Sequence, residues 1–453
     1  MSPAITAFPP FMLHSRNLPA PPRPSFASRH QTTLLKHNPI LRNYHFVVFF
    51  HAPSLSWPST LTEGKNMKNW LFGLVTLLIS MAYAQASTAF SDASVIKTEE
   101  TVAIEAAINH YFDGSAYSDK TRLQQAFHSQ ARLYLEKADM PYWEVPVSDY
   151  INLYKEENQG KFNGRIGRIL NMDIEGNLAT VKAEILMPAR QQRYIDMLLL
   201  KKLDGVWQIL SKSAVGKASH YNGKRILFIL SSAHFHGDSA LPAGVSFSEI
   251  VNAYDEFSKA GFSVDFVSPQ GGALPLAYID TSEQKHKQYL YDRDFMYAIG
   301  HTLKPEQIVA KDYRAVHYVG GSNAMYGVAD HPQLQKISME IYEQHGGLIS
   351  AVCHGTAGIA HLRLKNGEYL VKGRRISGSP DEYELQDRPY FKQFPFLITK
   401  TIEERGGTFL YSPRNTPHIE VDGRIITGQN QLSSAGVAKA MVALLNEEAT
   451  KQP

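Results

Sequence analysis

The chain has 453 residues, a formal net charge of +3, and ordinary shares of hydrophobic (43%) and charged (20%) residues, which indicate a globular protein of about three domains. Residues 1–66 hold six Lys or Arg and one acidic residue, Glu63, which leaves 40 Lys or Arg against 42 Asp or Glu in the remainder. That balance excludes a basic nucleic-acid-binding surface, so nucleic acid is not expected as a partner. The single cysteine excludes an internal disulfide.

The first 66 residues are rich in proline and histidine and show no hydrophobic periodicity. Three interpretations are open: a disordered extension, an organellar transit peptide, and a misannotated upstream segment. We favour the third, because residues 67–86 have the three parts of a secretory signal peptide. These parts are a basic start at Met67-Lys68, an apolar run from Leu71 to Ala82, and a small-residue cleavage pattern before Ser87. We therefore expect a periplasmic or secreted protein that is not embedded in a membrane.

Residues 95–218 predict a small α+β domain. Apolar residues at Ile104, Ile108, Tyr111 and Phe112 have helical spacing, and two further short helices are expected near 119–127 and 147–154. From residue 179 the period changes to two, and Leu203-Asp204-Gly205-Val206 predicts a hairpin turn between two long strands. The order of elements and this closing hairpin resemble the nuclear-transport-factor-two-like cone fold, which is cystatin-like, in its lumazine-binding-like branch. The resemblance implies an enzyme, a ligand binder or a dimerisation module.

Residues 224–447 alternate strand and helix, which predicts a parallel sheet with helices on both faces. Strands are expected at 225–230, 263–268, 316–319, 348–352 and 424–427, with helices at 246–260, 333–344 and 433–445. Reactive groups in such sheets lie at the carboxyl ends of the strands. The expected fold class is therefore α/β with a flavodoxin-like sheet, preceded by the smaller cone domain.

The segment from Gly346 to Gly358 predicts a buried strand, a sharp turn at Cys353, and a helix packed close to the sheet. A thiol at such a nucleophile elbow is favoured as thiolate by backbone N–H groups and by the helix dipole. The adjacent His354 is a candidate base. The alternative is an inert buried cysteine, which is the commonest state of a lone cysteine.

Other polar groups are predicted near the same edge of the sheet. Gly320-Gly321 follows one strand, where glycines let backbone N–H groups approach a ligand; a plain tight turn is the alternative. Glu249 lies early in a helix, where an acidic residue is commonly a solvated charge. An acidic cluster follows the cysteine by about 30 residues and is also compatible with an ordinary helix start; its members are Asp381, Glu382 and Glu384.

Together these residues resemble the ThiJ/PfpI family of the class I glutamine-amidotransferase-like superfamily, in its larger heat-shock-protein-thirty-one branch. The matching segments are Gly244 to Glu249, Ala260 to Pro269, Gly320 to Met325, Ala351 to Gly355 and Asp422 to Asn430.

The resemblance implies roles for particular residues. Cys353 would be the nucleophile, Glu249 would share the thiol proton, and His354 would complete a triad with Glu384, or with Glu382 or Asp381 in its place. Gly320, Gly321 and Ser322 would form the oxyanion and substrate-binding site, although relatives often carry His where this chain has Ser322.

The function implied by the resemblance is a cofactor-independent, glyoxalase III-like conversion of 2-oxoaldehydes, or a deglycase. Two alternatives stay open: an amidase or peptidase that uses the same thiol, and a stress chaperone or redox sensor that binds damaged proteins. His234 and His236 form a His-x-His pair, but no third ligand is evident, so neither a metal nor a cofactor is expected. A homodimer is a further expectation.

Overall fold

A computed structural model describes residues 99–137 and 140–451. The expectations for residues 1–66 and for the signal peptide at 67–86 lie outside the described residues. Within the described ranges, no helix has both the length and the apolar character that crossing a membrane requires.

The first domain is a helix-lined, curved sheet, as the cone resemblance implies. Helices α1 and α2 precede two strands that the sequence did not predict, and α3 comes after them. The elements in chain order are α1 (Glu99–Ala116), α2 (Lys120–Ala126), β1 (Phe127–Lys137), β2 (Met140–Pro146), α3 (Val147–Asn152), β3 (Ile166–Glu175), β4 (Leu178–Met187), β5 (Gln192–Leu203) and β6 (Val206–Ala218).

The sheet of the cone domain has the strand order β2-β1-β6-β5-β4-β3. All neighbours are antiparallel except β1 and β6, which run parallel. Helix α1 buries its predicted apolar residues against the concave face, in one cluster with alternate residues of β4. The predicted hairpin turn joins β5 to β6, with Asp204 and Gly205 both at positive φ (49° and 83°), the backbone that a two-residue hairpin requires.

The second domain begins at Arg225 and alternates strand and helix to the end of the described chain. Its elements are β7 (Arg225–Ile229), β8 (Val245–Ser246), α4 (Phe247–Lys259), β9 (Ser263–Val267), β10 (Leu276–Ala277), α5 (Gln284–Leu290), α6 (Arg293–Gly300), β11 (Tyr313–Tyr318), α7 (Pro332–Met339), β12 (Leu348–Val352), α8 (Ala357–Ala360), β13 (Arg375–Ile376), α9 (Ile398–Glu404), β14 (Thr408–Phe409), β15 (Ile419–Asp422), β16 (Ile425–Gly428) and α10 (Ser434–Lys451).

The main sheet of this domain has the order β15-β16-β12-β11-β7-β9. Its five parallel strands therefore follow the flavodoxin-like order 2-1-3-4-5, and β15 adds an antiparallel edge. Each face of the sheet packs into its own hydrophobic cluster, one with α7 and α9 and the other with α4 and α10. The predicted fold class is confirmed, and β11 and β12 end side by side at the edge where the candidate residues were expected.

The turn after β12 differs from the prediction in one respect. Cys353 begins a 3-10 turn that ends at Thr356, and α8 adds only four residues. A single helical turn has few aligned peptide dipoles, so helix electrostatics contribute little to the state of the thiol.

Candidate active site

Cys353 occupies a strained position at the end of β12. Its φ of 56° lies in the left-handed region, which a residue with a side chain rarely adopts. The turn closes tightly against β11, since a Cβ at Gly355 would lie 2.4 Å from the backbone oxygen of Tyr318. This strand-to-turn geometry is that of a nucleophile elbow, and it presents a half-buried thiol at the sheet edge.

Glu249 lies in the first turn of α4, whose N-cap is Ser246. The carboxylate is only 2% exposed. The backbone N–H of Gly320 donates a hydrogen bond of 2.8 Å to its Oε2 atom. Burial raises the pKa of Glu249 to about 7, although hydrogen bonds from Cys353 and Gly320 oppose the shift. Both protonation states of Glu249 are therefore accessible at neutral pH, as acid–base chemistry requires.

His354 bridges the thiol and an acid. Its Nδ1 atom lies 3.5 Å from Sγ of Cys353, and its Nε2 atom lies 2.9 Å from Oε1 of Glu384. Burial alone would lower the pKa of His354, but Cys353 and Glu384 raise it well above its ordinary value. The imidazolium form is thus held between the sulfur and the carboxylate.

Glu384 is itself held by two further donors. The hydroxyls of Ser379 and Tyr390 donate hydrogen bonds of 2.9 Å and 3.1 Å to its two carboxylate oxygens. Burial would raise the pKa of Glu384, but these bonds and His354 lower it below its ordinary value. The motifs did not point to Ser379 or Tyr390, because serine and tyrosine in a loop carry no distinctive spacing.

The structure does not bring the other two acids of this cluster to His354. Asp381 caps α9, where its carboxylate accepts hydrogen bonds of 3.1 Å and 3.0 Å from the backbone N–H groups of Thr399 and Lys400. Glu382 interacts with Tyr411. Only Glu384 contacts the imidazole.

Gly320, which was expected at the oxyanion and substrate-binding site, donates its N–H to Glu249 in this structure. Gly321 has a φ of 107°, which suits glycine alone, and it lines the cleft beside Cys353. Among the described residues, no acceptor receives the Gly321 N–H. Ser322 begins a 3-10 turn, and its side chain interacts with Tyr278.

The thiol is not a preformed thiolate. Burial and the adjacent Glu249 charge raise the pKa of Cys353 above its ordinary value, against hydrogen bonds from the imidazole and backbone N–H of His354. The resting arrangement is therefore a thiol next to a carboxylate that can accept its proton. This corrects the expectation that the elbow alone would stabilise the thiolate.

An open cleft of about 940 Å³ leads to these groups. Cys353, His354 and Glu249 lie in its wall, together with an insert between β10 and α5 that contributes Tyr278, Ile279 and Asp280. Tyr278 has a φ of 56°, a second strained position beside the thiol. Sequence reasoning missed this insert, since its residues match no motif.

His236 lies near the other side of the triad and is held by aromatic neighbours. Its Nδ1 atom is 3.2 Å from the Tyr326 hydroxyl, and its ring packs against Tyr390 and Phe394. In the parts of the chain that the structure describes, no three His, Cys, Asp or Glu side chains are grouped so as to hold a metal ion.

Family models match both domains of the chain. The DJ-1/PfpI family model matches residues 240–388, and the model described as "Putative lumazine-binding" matches residues 99–213. The glutathione-independent glyoxalase hsp3102 of Schizosaccharomyces pombe is 30% identical over 241 residues, which are 49% of this chain and 98% of that protein. The chain belongs to the DJ-1/PfpI family. This is the family that the elbow and the glycine motifs predict.

Two solved structures are also similar. Glyoxalase III of Candida albicans is 25% identical and covers 49% of this chain and 96% of its own, with a TM-score of 0.45. An NTF2-like protein of unknown function from Shewanella baltica is 23% identical and covers 27% of this chain and 96% of its own, with a TM-score of 0.25. The relatives named as glyoxalases are enzymes, as the sequence predicts for this chain.

Proposed function

We propose that this protein converts 2-oxoaldehydes to 2-hydroxy acids without glutathione, with Cys353 as the nucleophile. The observation that carries the proposal is the position of Glu249 and His354 on either side of the thiol. Glu249 can accept the thiol proton there, and the His354 imidazolium can donate a proton to the substrate. The glyoxalase names of relatives such as hsp3102 give the substrate class.

In the first step, Glu249 accepts the Cys353 proton and the sulfur adds to the aldehyde carbon of the substrate. The carbonyl oxygen takes a proton from the His354 imidazolium, which gives a neutral hemithioacetal. The Gly321 N–H, which donates to no described acceptor, is placed to stabilise the oxygen while it carries negative charge; the backbone N–H of His354 already contacts Cys353.

In the second step, the now neutral His354 removes the proton from the former aldehyde carbon, and the protonated Glu249 returns its proton to the neighbouring keto oxygen. His354 then protonates the former keto carbon of the resulting enediol while Glu249 accepts the proton of the hydroxyl on the former aldehyde carbon, which yields a thioester of the 2-hydroxy acid. Water then hydrolyses the thioester, releases the carboxylic acid and restores the thiol. One water is consumed and no external oxidant is needed, because the aldehyde carbon is oxidised as the keto carbon is reduced.

The test is formation of lactate from methylglyoxal by the purified chain, with no glutathione present. Cys353→Ala should abolish turnover, and Glu249→Gln should lower kcat by about 10²- to 10⁴-fold, the usual contribution of a general base. Absence of lactate with the unmodified protein would refute the proposal.

Two further assays distinguish the alternative functions of a protein with this thiol. Release of ammonia or peptide from an amide substrate, abolished by Cys353→Ala, would identify a hydrolase. Suppression of aggregation that survives Cys353→Ala, without turnover of any of these substrates, would identify a chaperone.

Export belongs to the proposal as well. The basic start, apolar run and cleavage pattern of residues 67–86 support it. N-terminal sequencing of protein made by its native host should give Ser87 as the first residue. Recovery of chains that retain residues 67–86 would contradict export by this route.

A further inference from the structure

The cleft at Cys353 is larger than methylglyoxal requires. Its volume is about 940 Å³, within the range of sites that bind drug-sized molecules, whereas methylglyoxal carries a single methyl group beyond its carbonyl groups. The carbonyl groups of any 2-oxoaldehyde must lie next to the thiol for the reaction to occur. The walls of the cleft away from the thiol therefore decide which substituent the site accepts.

Apolar side chains from two separate segments of the chain are exposed in these walls. Tyr278 and Ile279 of the insert after β10 are 61% and 41% exposed, and Leu432 of the turn after β16 is 52% exposed. Exposed apolar side chains scattered singly are ordinary, but a group of them around one cleft is typical of a ligand-binding surface. An apolar group of a ligand would remove their surface from water, which favours its binding.

The insert that carries Tyr278 and Ile279 is held at both of its ends. Strand β10 pairs with β8, and Ala277 lies opposite Ser246, the N-cap of the helix that carries Glu249. After the insert, the backbone N–H of Asp280 donates a hydrogen bond of 3.1 Å to Nδ1 of His286. These contacts impose the positive φ of Tyr278, a conformation that persists only where the surrounding structure enforces it.

The turn that carries Leu432 is also held in place. Oδ1 of Asn430 accepts a hydrogen bond of 3.1 Å from the Leu432 N–H, and Nδ2 of Asn430 donates one of 2.8 Å to the backbone oxygen of Thr416. Ser433, the next residue, is buried. Leu432 is therefore presented to the cleft by a fixed backbone, as a binding surface requires.

The charges of these walls do not favour an anionic substituent. Away from the thiol, the acidic and basic side chains of the lining are Asp280, Glu283, Lys285 and the buried His286. The Lys285 ammonium lies 3.3 Å from Oδ2 of Asp255, which balances its charge. Asp280 and Glu283 are exposed, so this part of the cleft repels a negatively charged group.

We propose that the cleft selects 2-oxoaldehydes whose substituent is uncharged, apolar and larger than methyl, and that Tyr278, Ile279 and Leu432 form the surface that binds this substituent. The inference rests on the proposed function for its reaction and adds the substrate class. Phenylglyoxal represents that class, and its reaction with one water gives mandelate.

The test compares kcat/KM for phenylglyoxal, measured as mandelate formed, with kcat/KM for methylglyoxal, measured as lactate formed. Leu432→Ser should lower the ratio of the two values about tenfold, the lower end of what a lost apolar contact costs in a pocket. Ile279→Ser should lower the ratio similarly. Val309→Ser is the matched control, because Val309 is 50% exposed in the same domain and does not line the cleft. An unchanged ratio in both cleft variants would overturn the proposal.

The charge of the substituent is tested with 4-carboxyphenylglyoxal, which adds a carboxylate to the same ring. Its kcat/KM should be about two- to fivefold lower than that of phenylglyoxal, as expected for exposed charges in water. A value equal to or above that of phenylglyoxal would show that the cleft does not select an uncharged substituent.

A measurement without turnover separates this inference from the proposed reaction. Cys353 is the only cysteine of the chain, so alkylation by iodoacetamide, followed by mass spectrometry, reports on access to the thiol. Mandelate and lactate have the same hydroxy-acid group and differ in the substituent. Mandelate should protect the thiol at a concentration about tenfold lower than lactate, and Leu432→Ser should abolish this difference.

The two assays together distinguish the possible failures. Stronger protection by mandelate, without turnover of either aldehyde, would refute the glyoxalase reaction and support the apolar binding surface. Turnover of both aldehydes, with equal protection by the two acids, would refute the apolar binding surface and leave the reaction supported.

Discussion

The N–H of Gly320 donates a 2.8 Å hydrogen bond to Oε2 of Glu249, so this glycine holds the proposed base and not a substrate oxygen. A Cβ at Gly320 would lie 2.5 Å from that oxygen and 2.9 Å from Cβ of Cys353. Both distances are shorter than non-bonded atoms allow. The glycine is therefore what lets Glu249 and Cys353 approach each other.

Gly320→Ala should displace Glu249 from the thiol. We expect kcat for methylglyoxal to fall by about 10²-fold or more, since correct placement of a general base contributes that much. Stability should fall by about 1–3 kcal/mol through overpacking. Gly300→Ala is the control, because a Cβ there meets no atom within 4 Å. Turnover retained in Gly320→Ala would show that Glu249 is not the base.

Turnover should rise as the pH passes through about 7, since Glu249 can accept the thiol proton only as a carboxylate and burial raises its pKa to about 7. The measurement is kcat/KM for methylglyoxal against pH. The residual activity of Glu249→Gln should lack this rise. A profile that is unchanged in the variant would assign the rise to another group.

The raised pKa of Glu249 also predicts that the folded state loses stability as the pH rises. The pKa of Glu249 is raised from 4.5 to about 7, so the folded state binds its proton more tightly than the unfolded state. Stability is therefore lost as the pH rises between these two values, by up to about 3 kcal/mol. Glu249→Gln is neutral throughout and should be more stable than the unmodified protein by about 1–3 kcal/mol above this range, with little difference below it.

Urea unfolding on both sides of that range is the measurement for this stability difference. Glu306→Gln, a change of an exposed acid in the same domain, is the control: it keeps Glu249 and should lose stability across this range as the unmodified protein does. A Glu249→Gln variant that is less stable than the unmodified protein at high pH would contradict the buried-carboxylate explanation.

Glu384 and Asp381 should give opposite phenotypes although they lie three residues apart. Glu384→Gln removes the charge that holds the His354 imidazolium at 2.9 Å, so kcat should fall by about 10²- to 10⁴-fold. Asp381→Asn weakens the cap of α9 and should cost about 1 kcal/mol of stability without changing kcat. If both variants lose the same amount of kcat, Glu384 is not distinguished from Asp381 as the acid of the triad.

The sequence predicted the parts of the fold that have a regular apolar pattern. The strand before Cys353 is observed at Leu348–Val352 as expected, because an uncharged run of five residues bounded by Gly347 is typical of a buried parallel strand. Strands β1, β2 and β3 were missed; Ala131, Leu133 and Leu135 of β1 do alternate with polar residues, but the charged, aromatic and proline residues around them obscure the pattern. The role of Gly320 was also unpredictable, because it depends on a contact with α4, 71 residues away.

The interior of the cone domain contains a polar cluster that no motif indicated. Lys212 Nζ lies 2.6 Å from the Tyr111 hydroxyl and 3.0 Å from Oδ2 of Asp196. The Lys212 and Asp196 side chains are 4% and 0% exposed. Tyr111 donates a further hydrogen bond of 2.6 Å to Asp196. Three residues far apart in sequence meet only when the sheet closes over α1, so spacing could not reveal them.

Removing one member of this cluster should destabilise the cone domain far more than removing two. Lys212→Met leaves the Asp196 charge buried without a cation and should destabilise the cone domain by about 3–5 kcal/mol, whereas Lys212→Met with Asp196→Leu should recover most of that loss. Tryptophan fluorescence during urea unfolding reports on this domain in protein that begins at Ser87, because Trp143 and Trp207 are then the tryptophans present and no tryptophan lies in residues 225–451. If the double variant is as unstable as the single one, the ion pair itself stabilises the cone domain. The loss in Lys212→Met would then not come from a buried charge left without a partner.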